Sequence, residues 1–141
     1  MCGIVGYLGK GNAQAPLIDG LRRLEYRGYD SSGLVILSQD NKLVRERATG
    51  KVSNLENNLK RIKPSLKGNV GLAHTRWATH GKPSVNNAHP HISKNSISVV
   101  HNGIIENYID LKDSQMKQGY AFTSETDTEV IAHAIESAIK P

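Results

Sequence analysis

Apolar residues along this chain fall in two patterns, short runs and stripes at helical spacing. Residues 2–8 read as a strand that stops at the turn Gly9-Lys10-Gly11-Asn12. Leu17, Ile18, Leu21 and Leu24 recur at helical spacing, so 14–26 reads as an amphipathic helix ending near Gly28. Leu34-Val35-Ile36-Leu37 is continuous and apolar, as in a buried strand. Asp40-Asn41 makes a turn, and 43–48 returns as the second arm of a hairpin. Residues 53–63 read as a helix opened by the capping box Ser53-x-x-Glu56 and stopped by Pro64. A strand over 70–74 leads into a polar segment with Gly81, Pro83 and Pro90, long enough to be a functional loop. Another strand covers 97–101, and Ile104, Ile105, Tyr108, Ile109 and Leu111 begin a helix. The last helix is capped by Thr126-x-x-Glu129 and lines one face with Val130, Ile131, Ala134, Ile135, Ala138 and Ile139. Strands with helices interspersed predict a layered α/β or α+β domain. The final apolar face needs a covering layer, from this chain or another.

At 141 residues the chain is one domain by length and can bury a core. The formal charge of +5 and pI of about 9.4 raise the question of a phosphate-binding face. Basic residues gather between Lys42 and Lys67, with Arg45, Arg47, Lys51, Lys60, Arg61 and Lys63 between them. No aromatic side chain sits among them to stack a base. A solvated helix face and strand edge is the favoured reading, and no nucleic-acid partner is expected. The single cysteine excludes an intrachain disulfide and gives no argument for an oxidising compartment. No apolar run approaches the ~20 residues of a membrane span. The first run stops at Leu8 with no basic residue ahead of it, unlike a signal peptide. The expectation is a cytoplasmic protein with no membrane partner.

That cysteine is Cys2, directly behind Met1. Loss of Met1 would leave a thiol and a free α-amine on one carbon. An α-amine with its ordinary pKa of ~7.7–8.0 can act as a base near neutral pH, which is the N-terminal nucleophile device. The plainer alternative is a small buried apolar side chain. Residues 73–81, AHTRWATHG, run from a strand end into a loop. There Arg76 can fork onto a carboxylate, Thr79 and His80 add hydrogen-bonding groups, and Trp77 offers a large apolar surface. A surface arginine beside a buried tryptophan is the bland reading. In VVHNG, residues 99–103, the Asn102 side chain and the Gly103 N–H can converge on one oxygen, as an oxyanion hole requires. A plain Asn-Gly turn has the same letters. His89, His91 and His101 raise a metal site, but the H-x-H of NAHPH has no carboxylate or thiolate nearby, and no metal is expected. Asp127, placed in the first turn of the last helix, is explained by the helix dipole or by pairing with a ligand ammonium.

Taken in order, MCGIVGY, LRRLEYRGYDSSG, GLAHTRWATHGKPSVNNAHPH, SVVHNGIIENY and FTSETDTEVIAH resemble the glutaminase domain of the isomerising glutamine–fructose-6-phosphate aminotransferases. These are class II glutamine amidotransferases of the N-terminal nucleophile hydrolase family. The resemblance spans nearly the whole chain. It implies an α+β fold, the αββα four-layer sandwich, here incomplete, with 1–141 as the N-terminal portion of the domain and the sugar-isomerase domains absent. It implies that Cys2 attacks the side-chain amide of L-glutamine with its own α-amine as base. Asn102 and Gly103 then hold the oxyanion, and water resolves the thioester. Arg76 takes the α-carboxylate and Asp127 the α-ammonium, while Thr79 and His80 line the pocket. Trp77 lies in a covering loop, and Arg27 orders the chain near the nucleophile. No metal or organic cofactor is implied. The implied partners are sugar-isomerase domains using fructose-6-phosphate, and a second copy of the chain or a missing segment. Gln115 departs from the family's apolar residue, with Met116 beside it to compensate.

Overall fold

A computed structural model describes residues 1–62 and 66–140. The longest apolar run becomes the centre of the main sheet. This strand, β2 (Ser31–Leu37), lies between β3 (Leu43–Thr49) and β4 (Val70–Arg76), with β1 (Gly3–Leu8) on the far side of β4. All pairings are antiparallel. Because side chains alternate across a strand, the register sorts the sheet into two faces. Leu34 lies opposite Ala73, and on that face Leu34, Ile36, Ala48 and Ala73 form the core. They pack on α1 (Gln14–Leu24) through Leu17 and Leu21, and on α2 (Val52–Arg61) through Val52, Leu55 and Leu59. On the other face Gly33 lies between Arg47 and His74, and Arg76 follows on the same side.

That second face looks onto a two-stranded sheet, β5 (His91–Ser93) and β6 (Ile97–Val99). The helix α4 (Glu129–Ile139) packs on this hairpin, and α3 (Tyr108–Lys117) packs on α4. The layers therefore run helices, sheet, sheet, helices. A Cβ at Gly33 would sit 2.1 Å from the carbonyl oxygen of His89, so only glycine lets the second layer approach here. No helix among the described residues is long and apolar enough to cross a membrane.

Several expectations are corrected at the element ends. The helix α2 starts at Val52, so Ser53 lies inside it and makes no cap. The Val52 N–H is instead taken by Oε1 of Glu25 at 2.8 Å, and Glu56 pairs with Arg22 at 2.6 Å. An orphan donor at a helix start donates to any carboxylate brought to it. The expected stop at Lys63 and Pro64 lies outside the described residues. The helix α3 starts at Tyr108 rather than Ile104, β6 ends at Val99, and β5 was not expected at all.

The helix α4 starts at Glu129, with neither Thr126 nor Thr128 capping it by a side chain. Glu129 turns back onto the N–H groups of Thr123 and Ser124, at 3.0 and 2.8 Å. Its packed stripe is also not the expected one. Val130 and Ala132 are buried, but so are Glu129, His133 and Glu136, while Ile135 is 40% and Ile139 61% exposed. The polar side chains are buried because partners await them: Ser93 meets His133 at 2.8 Å and the Tyr120 hydroxyl donates to Glu136. Gln115 is buried and donates to the Val130 carbonyl at 2.9 Å, while Met116 is 55% exposed and fills nothing.

Arg45 and Arg47 are not a solvated edge either. They donate to the carbonyls of Asn86, Ala88 and Pro90 at 3.0–3.1 Å and so hold the loop before β5. Burial lowers the Arg47 pKa to about 10, which leaves it charged at neutral pH.

Candidate active site

Where β1 starts and β4 ends, a cleft of about 490 Å³ opens between the two layers. All nine residues to which the family resemblance gave a role line it, although they come from five separate stretches of chain.

Cys2 stands one residue ahead of β1. Since Gly3 pairs with Thr75, the thiol is placed beside Trp77, whose N–H donates to Sγ at 3.2 Å. Cys2 is partly exposed to the cleft, which sets aside the reading of a buried apolar filler. The Met1 amine donates to the Arg27 carbonyl at 2.8 Å, and the Arg27 guanidinium meets the Met1 sulfur. Arg27 thus tethers this end of the chain.

Asn102 faces the same residue. Its Nδ2 donates to the Cys2 carbonyl at 3.1 Å, and its Oδ1 lies 2.8 Å from Nε2 of His74. The neighbouring Gly103 has φ of +155°, and a Cβ there would meet the His101 ring at 2.8 Å. Glycine is the residue for this position. His74 was not singled out from the sequence. Its strand position was legible, but its partner lies 28 residues away.

Arg76 and Asp127 come from separate stretches of chain. Arg76, the last residue of β4, is 3% exposed. It donates to the carbonyls of His80, Gly81 and Lys82, and its guanidinium lies 3.8 Å from Asp30. Asp30 also accepts the Ala78 N–H, so it fixes the loop that carries Trp77, Thr79 and His80. Asp30 is a second residue the sequence reading missed. Asp127 is 4% exposed and precedes α4 instead of sitting in its first turn. Its Oδ2 accepts the Ile105 N–H at 2.6 Å. Trp77 is 53% exposed and lies over Gly28, so it is not the buried tryptophan of the bland reading. Thr79 is exposed, and His80 meets the Tyr108 ring edge-on at 5.5 Å.

Behind the cleft the histidines form a column. The His74 ring stacks on His89 at 4.1 Å, and His91 meets His89 edge-on at 4.6 Å. Burial drives the His74 pKa down to about 4 and that of His91 to about 3, and depresses His89 further. Neighbouring arginines push the same way, so all three rings are neutral at pH 7. His91 and His101 face the hydroxyls of Thr126 and Thr128 at 2.9 and 3.2 Å. Among the described residues no three His, Cys, Asp or Glu side chains are grouped as a metal ion would need.

A family profile described as glutamine amidotransferase domain matches residues 63–138. The isomerising glutamine–fructose-6-phosphate aminotransferase of Acinetobacter baylyi is 57% identical over 139 residues, covering 99% of this chain and 22% of that protein. Its counterpart in Pseudomonas putida is 56% identical over 140 residues, covering 99% and 23%. The chain thus spans less than a quarter of the length of these curated relatives. Among solved structures, the glutamine phosphoribosylpyrophosphate amidotransferase of B. subtilis, complexed with ADP and GMP, superposes with a TM-score of 0.79 at 28% identity. The match covers all of this chain and 30% of that one. A structure of the allosteric regulatory enzyme of purine biosynthesis gives 0.80 at the same identity and coverage. By this profile the chain belongs to the glutamine amidotransferase domain family, and it has the fold of the N-terminal nucleophile hydrolases.

Proposed function

We propose that the chain hydrolyses the side-chain amide of L-glutamine to glutamate and ammonia, with Cys2 as an N-terminal nucleophile. The observation that carries this reading is one partly exposed thiol sharing a cleft with an amide N–H₂ beside it and two buried, oppositely charged groups. Loss of Met1 frees the Cys2 α-amine, which takes the thiol proton directly or through one water. The sulfur adds to the amide carbon, and the electron pair moves to the amide oxygen. Asn102 Nδ2 and the Gly103 N–H donate to that oxyanion, each such donor being worth about 2.7–4 kcal/mol. The C–N bond breaks as the α-ammonium returns the proton to the leaving nitrogen, releasing ammonia. Water then adds to the thioester, and glutamate leaves.

Arg76 holds the α-carboxylate of glutamine and Asp127 its α-ammonium, opposite charges that set the orientation of the substrate. Thr79 and His80 complete the wall, Trp77 covers the mouth, and Arg27, which holds Met1 before that residue is lost, lines the nucleophile's end of the cleft. Names of the relatives, isomerising glutamine–fructose-6-phosphate aminotransferases, support amino-sugar synthesis as the use of the ammonia. Residues 1–141 are then the N-terminal portion of a cytoplasmic glutaminase domain that works with sugar-isomerase domains acting on fructose-6-phosphate.

A second reading is favoured by the exposure of Ile135 and Ile139. It is a glutamine-binding module of the same family that turns over only when a partner covers that face.

Intact mass of the purified chain, before and after a diazoketone analogue of glutamine, tests both. The expected result is a species without Met1 that gains one adduct, with none on Cys2→Ala, and glutamate release by the unmodified chain. Met1 removed without an adduct supports the second reading. Met1 retained, or equal turnover by Cys2→Ala, overturns the first.

A further inference from the structure

We infer that His74 is a positioning residue that locks the side-chain amide of Asn102 in the orientation an oxyanion donor needs. This rests on the glutaminase reading above. An amide has two ends of nearly equal size and opposite polarity, and a half-turn about its last bond exchanges them. Asn102 is open to the cleft. Only one end may point at the reacting oxygen, because the carbonyl end would repel an oxyanion. Something must choose between the two.

The hydrogen-bond chain makes that choice. The Cys2 carbonyl oxygen can only accept, and it lies 3.1 Å from Asn102, so it takes one N–H of the amide. The other end is then Oδ1, which also only accepts, and it lies 2.8 Å from Nε2 of His74. His74 must therefore carry its proton on Nε2. Its other ring nitrogen, Nδ1, is buried and has no partner among the described residues, as a bare acceptor in this tautomer would be left. The second N–H of Asn102 has no role in the chain and is free for the substrate oxygen.

His74 is suited to this by its place. It is wholly buried in the central part of β4, on the face shared with Gly33 and Arg47. The stacked ring of His89 at 4.1 Å fixes its plane. Its depressed pKa of about 4 keeps it neutral, so no second positive charge competes for the thiolate. A flexible asparagine on a turn thereby inherits the rigidity of the sheet, which is what a preorganised donor requires.

The test combines one spectroscopic reading with a mutant cycle on the full chain. Nitrogen-15 NMR of the histidine rings should show His74 as the Nε2–H tautomer from pH 8 to pH 5. The Nδ1–H tautomer overturns the proposal, whatever the variants do. His74→Leu should lower kcat for glutamine hydrolysis about 10- to 100-fold at unchanged KM. His74→Gln, which returns an N–H near the same point, should recover most of the loss. In an Asn102→Ala background, His74→Leu should cost nothing more. Full kcat in His74→Leu, or a loss that adds in full on Asn102→Ala, leaves His74 as packing alone and overturns the role. An unmodified chain with neither turnover nor an adduct on Cys2 refutes the glutaminase reading instead, and the role falls with it.

Discussion

Around Leu34 and around His74 the two faces of the main sheet are both buried, and there they are built from different materials. Toward α1 and α2 stand Leu34, Ile36, Ala48 and Ala73. Toward the second sheet stand Arg47, His74 and Arg76, with Gly33 between the first two. The apolar face is held by a non-directional effect that grows with area, so neighbours are interchangeable within limits of volume. The polar face is held by hydrogen bonds, each with a named acceptor: carbonyls for Arg47 and Arg76, an amide oxygen for His74. Every such group is costly when its partner is missing. The site sits where the second face specifies directions atom by atom.

The comparison breaks most visibly at Leu34. Leu34→Ala empties a fully buried site and should cost about 2–5 kcal/mol in urea denaturation. It should leave the cleft around Cys2 intact in whatever fraction remains folded. A loss of turnover per folded molecule would mean that the two faces are not separable.

Titration sharpens the same contrast. His74 is ordinary when unfolded, near 6.5, and titrates at about 4 when folded. Between those values the unfolded chain holds the extra proton. Stability is therefore full above about pH 6.5 and falls as the pH drops toward 4, by roughly 1.4 kcal/mol per pH unit for this residue alone. Urea midpoints at pH 7.5, 6 and 5 should decline at least that steeply, since His89 and His91 are depressed as well, and Leu34→Ala should shift the curve without changing its slope. A flat profile would show that the polar face is solvated.

The smallest effect lies outside both faces. Glu25→Ala removes the acceptor of the Val52 N–H at the start of α2 and should cost about 0.5–2 kcal/mol, the range of a lost cap. Ser53→Ala should cost less than that, since Ser53 makes no cap. The reverse order would restore the capping box.

The apolar face of the sheet and the helices on it were legible in the sequence. Leu17 and Leu21, and the run around Leu34, carry their period in the chain itself. That residues around Cys2, Arg76, Asn102 and Asp127 belong together in one cleft was legible too, because their motifs resemble a family's in order. What was misread shares one feature. The expected caps at Ser53 and Thr126 looked for partners three residues away, whereas Val52 is served by Glu25, 27 residues earlier. The apolar stripe of α4 was expected to be the packed one, yet polar partners on β5 and at Tyr120 turned another side inward. Arg45 and Arg47 read as solvated because the loop carbonyls they hold lie some 40 residues on.

The sequence alone determined where most strands and helices lie and which residue types are available for chemistry, since hydrophobic period is a property of a segment. The tertiary structure decided which polar atoms meet: Asp30 with Arg76, and His74 with Asn102 and so with Cys2. A hydrogen bond requires two atoms within about 3 Å at a set angle. For residues this far apart in the chain, only the stacking of one layer on another supplies that condition.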